Sequence, residues 1–396
     1  MLIKLKILFR SIIVKILDSY LFLKSFFPKS GTLLILRLDD IGDYILFRNF
    51  IKHINNSDKF KGYKIYLAGN EKWKELAEEF EENEIYKFIW VNVKKFKSKS
   101  EWFYRYSKLF KINLLRCEWL IIPNDTTSLL INEIKVRCGI KNVMQKKSDS
   151  VYLKEDIYGY FNSSGNGKFK DYQNLFFQFY RNRKFAEEIT GSKIEMSKPD
   201  FGLKKEKPEM KSIIIFPGAG DESRAWSSEY FGELCQKISK TGEFKIYICG
   251  DNSDKAAALK IKSSAENVID LTGKTSLTEL VHLINKADLL VSNETCSVHI
   301  AASVNTKTVC LSNGNHYGRF NPYPAESADF IHTIYPDSIS ASTGEFETIV
   351  KKYYIKSDLD INSIKVKQVF EKVVLILNPA NENGSYKEES KVKNVI

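Results

Sequence analysis

The stretch Leu289–Ala302, LLVSNETCSVHIAA, decides how this chain is read. Leu289, Leu290 and Val291 form a short apolar run closed by polar residues, the pattern of a buried strand. Ser292, Asn293, Glu294 and Thr295 follow, residue types that favour turns and helix caps because their side chains bond nearby backbone. A helix is expected to open near Cys296–His299 and to continue through Ile300, Ala301 and Ala302. The first N–H groups of a helix lack partners and carry partial positive charge, so Thr295, Cys296 and Ser297 can offer backbone donors to a phosphate. Glu294 beside them would repel phosphate but suits sugar hydroxyls. The two together point to a nucleotide-sugar donor.

Residues 213–231, IIIFPGAGDESRAWSSEYF, and 33–51, LLILRLDDIGDYILFRNFI, repeat the strand-loop-helix plan. In the first of these, Gly218, Ala219 and Gly220 let backbone N–H groups approach a diphosphate, Ser223 adds a hydroxyl, and Arg224 supplies a fork that grips phosphate oxygens. Trp226 reads as a packing anchor. In the second, Asp43 follows Gly42 at a helix start, where the residue pattern alone favours a simple cap. Arg37 ends the strand and is expected to point to the cleft. It can serve a ligand or pair with Asp39 or Asp40.

The three segments, in this order over roughly residues 33–320, resemble glycosyltransferase family 9, the group of the lipopolysaccharide heptosyltransferases. The resemblance rests on Arg37 with Gly42-Asp43, on Pro217-Gly218-Ala219 with Arg224 and Trp226, and on Glu294-Thr295-Cys296 with His299. It implies the α/β arrangement called GT-B, two Rossmann-like domains with parallel sheets facing across a cleft. It implies Asp43 as catalytic base, with Asp39 and Asp40 as rivals or as acceptor contacts. Donor contacts are implied for Gly273, Lys274 and Thr275, and for His316 and Arg319 on the segment Gly314–Tyr323. His299 either bonds phosphate or braces its helix. Arg224, Glu294 and Cys296 depart from the residues usual in the family (Lys, Asp and Gly), which leaves the donor sugar open.

The expected activity is inverting, metal-independent transfer of heptose or a similar sugar from a nucleoside-diphosphate donor, such as ADP-heptose, to a membrane-linked bacterial glycan such as lipopolysaccharide core or O-antigen. No cofactor and no metal are expected, since Arg224 and the helix start can supply the charge. Two alternatives stay open: a nucleotide-sugar epimerase on the same plan, and a non-catalytic subunit that binds nucleotide sugar or glycan.

The chain has 396 residues, long for one core, and 43% are hydrophobic. No apolar run is long enough to cross a bilayer. A formal charge of +11 favours anionic partners. Nothing resembles a nucleic-acid module. The six cysteines form no Cys-x-x-Cys pair, which argues against zinc or disulfides and for a reducing, cytoplasmic setting.

Residues 1–30 carry six cations against Asp18 within Leu, Ile, Val and Phe. They form either an interfacial helix on the inner face of the bacterial inner membrane or a helix packed on the first domain. Residues 94–111 mix cations with aromatics, as a solvated helix face or an acceptor- or membrane-facing surface does. The first domain is expected over 31–191, with strands at 33–38, 63–67, 88–91 and 119–122, helices at 43–54, 71–80 and 171–190, and a mobile loop at 159–170. A linker follows at 192–211. The second domain covers 212–377, with strands near 212–216, 244–249, 267–271, 288–292 and 307–311 and a closing helix at 358–377. A disordered tail is expected at 378–396.

Overall fold

The computed structural model describes residues 11–20, 23, 29–124, 129–138, 140–146, 176–206, 210–242, 244–265, 267–341 and 346–378. The expected loop 159–170, the start of the expected helix 171–190 and the tail after Asn378 lie outside the described residues.

Two parallel sheets form the frame. The first contains β1 (Lys29–Arg37), β2 (Lys64–Asn70), β3 (Lys87–Val91), β4 (Cys117–Ile122) and β5 (Asn142–Gln145), in the order β3-β2-β1-β4-β5. The second contains β6 (Ser212–Phe216), β7 (Lys245–Ile248), β8 (Val268–Asp270), β9 (Leu289–Asn293), β10 (Thr308–Leu311) and β11 (Ile331–Ile334), in the order β11-β10-β9-β6-β7-β8. The central strands are continuous apolar runs because helices cover both faces. Leu33–Leu36 on β1 and Ile213–Ile215 on β6 are fully buried. In each sheet the strand order reverses beside the first strand, between β1 and β4 and between β6 and β9. In an open parallel sheet that reversal leaves a crevice beyond the carboxyl ends, where ligands bind. Two such parallel sheets with their helices make the GT-B arrangement.

The expected helix 43–54 is two short ones, Ile41–Ile45 and Asn49–Asn55. The break lets Arg48 turn inward onto buried Glu81, with Nε 2.6 Å from the carboxylate. The closing helix starts at Val366 rather than 358, because the preceding segment is used otherwise. It makes a 3-10 turn over Ile361–Ser363, and the Ile364 carbonyl accepts from Trp226 Nε1 at 2.9 Å. Trp226 is thus a fully buried anchor.

The helix Gln178–Thr190 joins the two halves. Asn182 Nδ2 donates to the Leu46 carbonyl at 2.9 Å, and Phe179 packs on Phe50 at 5.0 Å between centroids. From the same first turn the Gln178 N–H donates to the Arg319 carbonyl at 2.8 Å, and Arg181 Nη1 donates to Tyr354 at 3.0 Å. Residues 192–206 have no regular structure but are fastened. Asn49 Nδ2 donates to the Asp200 carbonyl at 2.7 Å, and the Asp200 N–H returns a bond to Asn49 Oδ1 at 3.0 Å. Two further contacts tie the halves above the crevice: the Leu277 N–H donates to Glu75 at 3.3 Å, and His282 Nε2 lies 3.2 Å from Glu79.

Candidate active site

The loops after β1, β6 and β9 meet in one cleft of about 540 Å³. Asp40, Ile41 and Gly42 line it from the first sheet, Gly218–Gly220 and Arg224 from β6, and Glu294, Thr295 and Cys296 from β9. Asn293 ties the last two loops together. Its Nδ2 donates to the Pro217 carbonyl at 2.6 Å, and its Oδ1 accepts from the Trp226 N–H at 3.1 Å. The helix start is where the sequence puts it: the helix runs Cys296–Ser303 with Thr295 as the extended residue before it.

Close approach explains the glycines. A Cβ at Gly42 would come within 3.0 Å of the His299 ring, so this glycine lets the first-domain loop rest on the second domain's helix. A Cβ at Gly218 would meet the Asp254 carboxylate at 2.5 Å. Asp254 itself is held by the Asp251 N–H at 2.9 Å. Gly273, at φ +68, packs on Asn252 and shares the cleft with Thr275.

Arg224 follows from a short 3-10 turn, Glu222–Arg224. Its guanidinium lies over Gly220, whose added Cβ would stand 3.0 Å from Nη2. Among the described residues it makes no hydrogen bond or ion pair, yet it faces Glu294 and favours that residue's charge. Burial nonetheless pushes the Glu294 carboxyl up, against the bonds from Ser312 and Asn321. Burial also raises the Cys296 thiol to about 11.

Asp43 lines a second cavity of about 510 Å³ in the first domain, with Asp39, Asn70, Asn92, Lys94, Lys97 and Asn124. Arg319 Nη2 stands 3.9 Å from its carboxylate. Asp40 and Lys72 line both cavities, and their side chains meet at 2.6 Å. The Asp39 carbonyl is fixed by Asn70 Nδ2 and Trp73 Nε1, each at 3.1 Å, which sets the loop that presents Asp40.

Several expected cleft residues sit elsewhere. Arg37 is 1% exposed and does not point to the cleft. It lies against the Phe47 ring and 3.0 Å from Asp39, because the strand end is covered by the following helix. His299 lines neither cavity. Its Nδ1 meets the Tyr323 hydroxyl at 2.6 Å, and burial lowers its pKa to about 3, so it is a neutral brace. Ser297 is buried and bonds Ser292 at 2.7 Å. Ser223 bonds Asp221, and Lys274 bonds the Asp270 carbonyl at 2.6 Å. His316 bonds the Tyr354 carbonyl at 3.1 Å. Lys72 and the Asp251–Asp254 turn, which line the cleft, carry no motif.

Residues 164–345 match the sequence model of glycosyltransferase family 9 (heptosyltransferase). Over that stretch, a little under half of its length, the chain is similar to this family. It is 28% identical over 183 residues to lipooligosaccharide heptosyltransferase 2 of Haemophilus ducreyi, covering 44% of this chain and 51% of that one. It is 26% identical over 121 residues to lipopolysaccharide heptosyltransferase 3 of Escherichia coli, covering 30% of this chain and 35% of that one. The matches thus span about half or less of these relatives' length. In fold it is similar to a family 9 glycosyl transferase from Veillonella parvula, with TM-score 0.62 and 15% identity over 88% of this chain and 98% of that one. It is likewise similar to the ADP-heptose lps heptosyltransferase II of E. coli, with TM-score 0.59 and 14% identity over 88% and 99%. The first motif, residues 33–51, lies outside the family match, and the fold comparison is what extends the likeness over most of the chain.

Proposed function

We propose that this protein is an inverting glycosyltransferase that moves heptose or a related sugar from a nucleoside-diphosphate donor to a membrane-linked bacterial glycan of the lipopolysaccharide type. One observation carries the reading. Three loops from two sheets converge on a single cleft that has a guanidinium without a hydrogen bond or ion pair among the described residues, a glycine-lined floor and a helix start. That combination suits a diphosphate. A second cavity with carboxylates and lysines adjoins it through Asp40 and Lys72.

In the proposed mechanism the donor lies with its diphosphate against Arg224, the N–H groups at the start of Cys296–Ser303 and the Gly218–Gly220 loop. Part-buried Glu294 orients sugar hydroxyls. The acceptor enters along the second cavity. Asp43 takes the proton of the acceptor hydroxyl as its oxygen bonds the anomeric carbon from the face opposite the leaving group. The bond from that carbon to the phosphate oxygen breaks, and the developing negative charge falls on Arg224 and the helix start. One displacement inverts the anomeric centre. Because Arg224 supplies the cation, the reading needs no divalent metal. Arg319, 3.9 Å from the Asp43 carboxylate, helps to orient the base.

Asp43→Asn tests the reading. Transfer should fall by roughly 10²–10⁴-fold, the usual contribution of a positioned base. Donor affinity, read by calorimetry, should stay within a few-fold, because Asp43 faces the second cavity. Wild-type turnover in the variant would remove Asp43 from the mechanism.

A further inference from the structure

The helix Gln178–Thr190 opens in an aromatic run, Phe176-Phe177-Gln178-Phe179-Tyr180, in which one amide stands among rings. All of these side chains are buried, and Gln178 is 0% exposed. Phe177 packs on Tyr323 of the second domain with centroids 4.9 Å apart, and Phe179 packs on Phe50 of the first. A buried amide costs free energy unless it is bonded, so packing alone would place an apolar side chain here. A leucine would be easier to bury. The bonds of the amide show what it supplies instead.

Gln178 Oε1 accepts from Arg319 Nε at 3.2 Å, and the Gln178 N–H donates to the Arg319 carbonyl at 2.8 Å. One residue thus holds both the backbone and the head of that arginine. The guanidinium lies over the Phe320 ring at 4.7 Å and brings Nη2 to 3.9 Å from the Asp43 carboxylate. On its other side, Gln178 Nε2 donates to Asn182 Oδ1 at 3.3 Å, one helical turn on. Asn182, also fully buried, donates through Nδ2 to the carbonyl of Leu46, which caps the short helix Ile41–Ile45. Lys146 Nζ donates to Asn182 Oδ1 at 2.8 Å. Arginine and lysine can only donate, so the oxygens of both amides must face them and neither amide can be flipped.

Asp43 is therefore gripped from two directions. Gln178 holds the cation beside its carboxylate, and Asn182 holds the backbone of the helix that carries it. Asp43 belongs to the first domain and Arg319 to the second, and the two amides lie at i and i+4 on the helix that joins them. We propose that Gln178 is a positioning residue, which through Arg319 and Asn182 sets the Asp43 carboxylate relative to the second domain. The catalytic meaning of that placement rests on the reading of Asp43 as the base; the placement itself does not.

NMR of the full-length protein, with aspartate isotope-labelled at the side-chain carboxyl carbon, reads the placement without any substrate. The Asp43 resonance is the one lost in Asp43→Asn. It should move in Gln178→Met, which keeps the length of the side chain but has no amide oxygen. It should also move in Gln178→Asn, which withdraws the same amide by one methylene and serves if the Met variant does not fold. In an Arg319→Lys background, where the held Nε is already gone, Gln178→Met should move it little further. Thermal unfolding is followed in parallel. A lower Tm with the Asp43 resonance in place would make Gln178 merely structural and overturn the proposal. Transfer is then measured with ADP-heptose and the glycolipid extracted from cells that lack the protein. Gln178→Met should lower kcat by roughly 10–100-fold, as misplacement by about 1 Å does, with the donor KM within about twofold. In the Arg319→Lys background the same change should cost less than about twofold. An unchanged kcat in Gln178→Met beside an inactive Asp43→Asn overturns the proposal and leaves the base standing. Wild-type transfer by Asp43→Asn overturns the base, and the resonance alone then decides the placement.

Discussion

Replacing Arg224 by Met removes the one guanidinium that lines the cleft among the described residues while keeping the bulk and flexibility of the stem. The expected cost follows from its surroundings. Arg224 makes no hydrogen bond or ion pair among the described residues, so folding does not depend on a partner that the substitution would strand. The loss should appear on ligand binding alone. A hydrogen bond to a charged group contributes about 1.5–3 kcal/mol, and a bidentate grip on a diphosphate lies toward the upper end. That corresponds to roughly 10–150-fold weaker binding. The assay begins with ADP, GDP, UDP and CDP in thermal shift, since a ligand that binds only the folded state raises the melting temperature. The nucleotide with the largest shift is then titrated by calorimetry against both proteins. Arg224→Met should melt where wild type does without nucleotide and bind that nucleotide at least about tenfold more weakly. Removing the cation also removes a charge that holds Glu294 ionised, so the Glu294 carboxyl should rise further in the variant. Binding within twofold of wild type would refute the clamp, and with it the claim that this cleft is built for a diphosphate.

Gly218→Ala should destabilise the fold by about 1–3 kcal/mol in denaturant unfolding, because its methyl would sit 2.5 Å from the held Asp254 carboxylate. Adding Asp254→Ala should restore most of that loss, and failure to do so would move the cause elsewhere. His299 gives a signed pH dependence. Its folded pKa lies near 3 against 6.5 in the open chain, so the unfolded state takes up a proton that the folded state refuses, and stability drops as pH falls below 6.5. At pH 5 the cost is roughly 2 kcal/mol. Glu81, raised to about 7 by burial despite Arg48, acts in the opposite direction, gaining stability as pH falls through 7. It is present in both proteins, so the difference in pH slope between wild type and His299→Gln isolates the imidazole. Equal slopes would show that His299 titrates normally. Transfer should persist in EDTA after exhaustive dialysis, and activity that returned only with added Mg²⁺ or Mn²⁺ would end the metal-free reading.

The frame was legible where burial is two-sided. Leu33–Leu36, Ile213–Ile215 and Leu289–Val291 read as strands because a central parallel strand has no polar face to blur the run. The four-residue edge strands Asn142–Gln145 and Ile331–Ile334 were not, since most of each is only partly buried and mixes polar with apolar residues. Side-chain direction was the other limit. Arg37 and His299 stand beside the motifs in sequence, but the strand end turns one under Phe47 and the helix turns the other toward Tyr323. Sequence spacing places a Cα near a cleft. It does not say on which side of the backbone the side chain leaves.

Lys72 shows what a physical rule can recover where a motif cannot. Loops after parallel strands face the ligand whether or not they contain a recognisable pattern. Lys72 follows β2 as Gly42-Asp43 follows β1, and it reaches the boundary between the two cavities. There its ammonium meets Asp40 at 2.6 Å, with both side chains well exposed. An exposed pair of this kind contributes little to stability, about 0–1 kcal/mol, so the fold has no need of it. Its position between a diphosphate-sized cleft and a carboxylate-lined cavity is what remains to explain it. In the empty site Asp40 neutralises the lysine. A bound diphosphate or an anionic acceptor would compete for that ammonium, at little energetic cost because the pair is solvated. Lys72→Met should therefore leave the melting temperature of the empty protein within about 1 °C, given so small a stability change. It should weaken binding of whichever substrate draws the ammonium away. Unchanged affinity for both donor nucleotide and acceptor would reduce the pair to a surface contact.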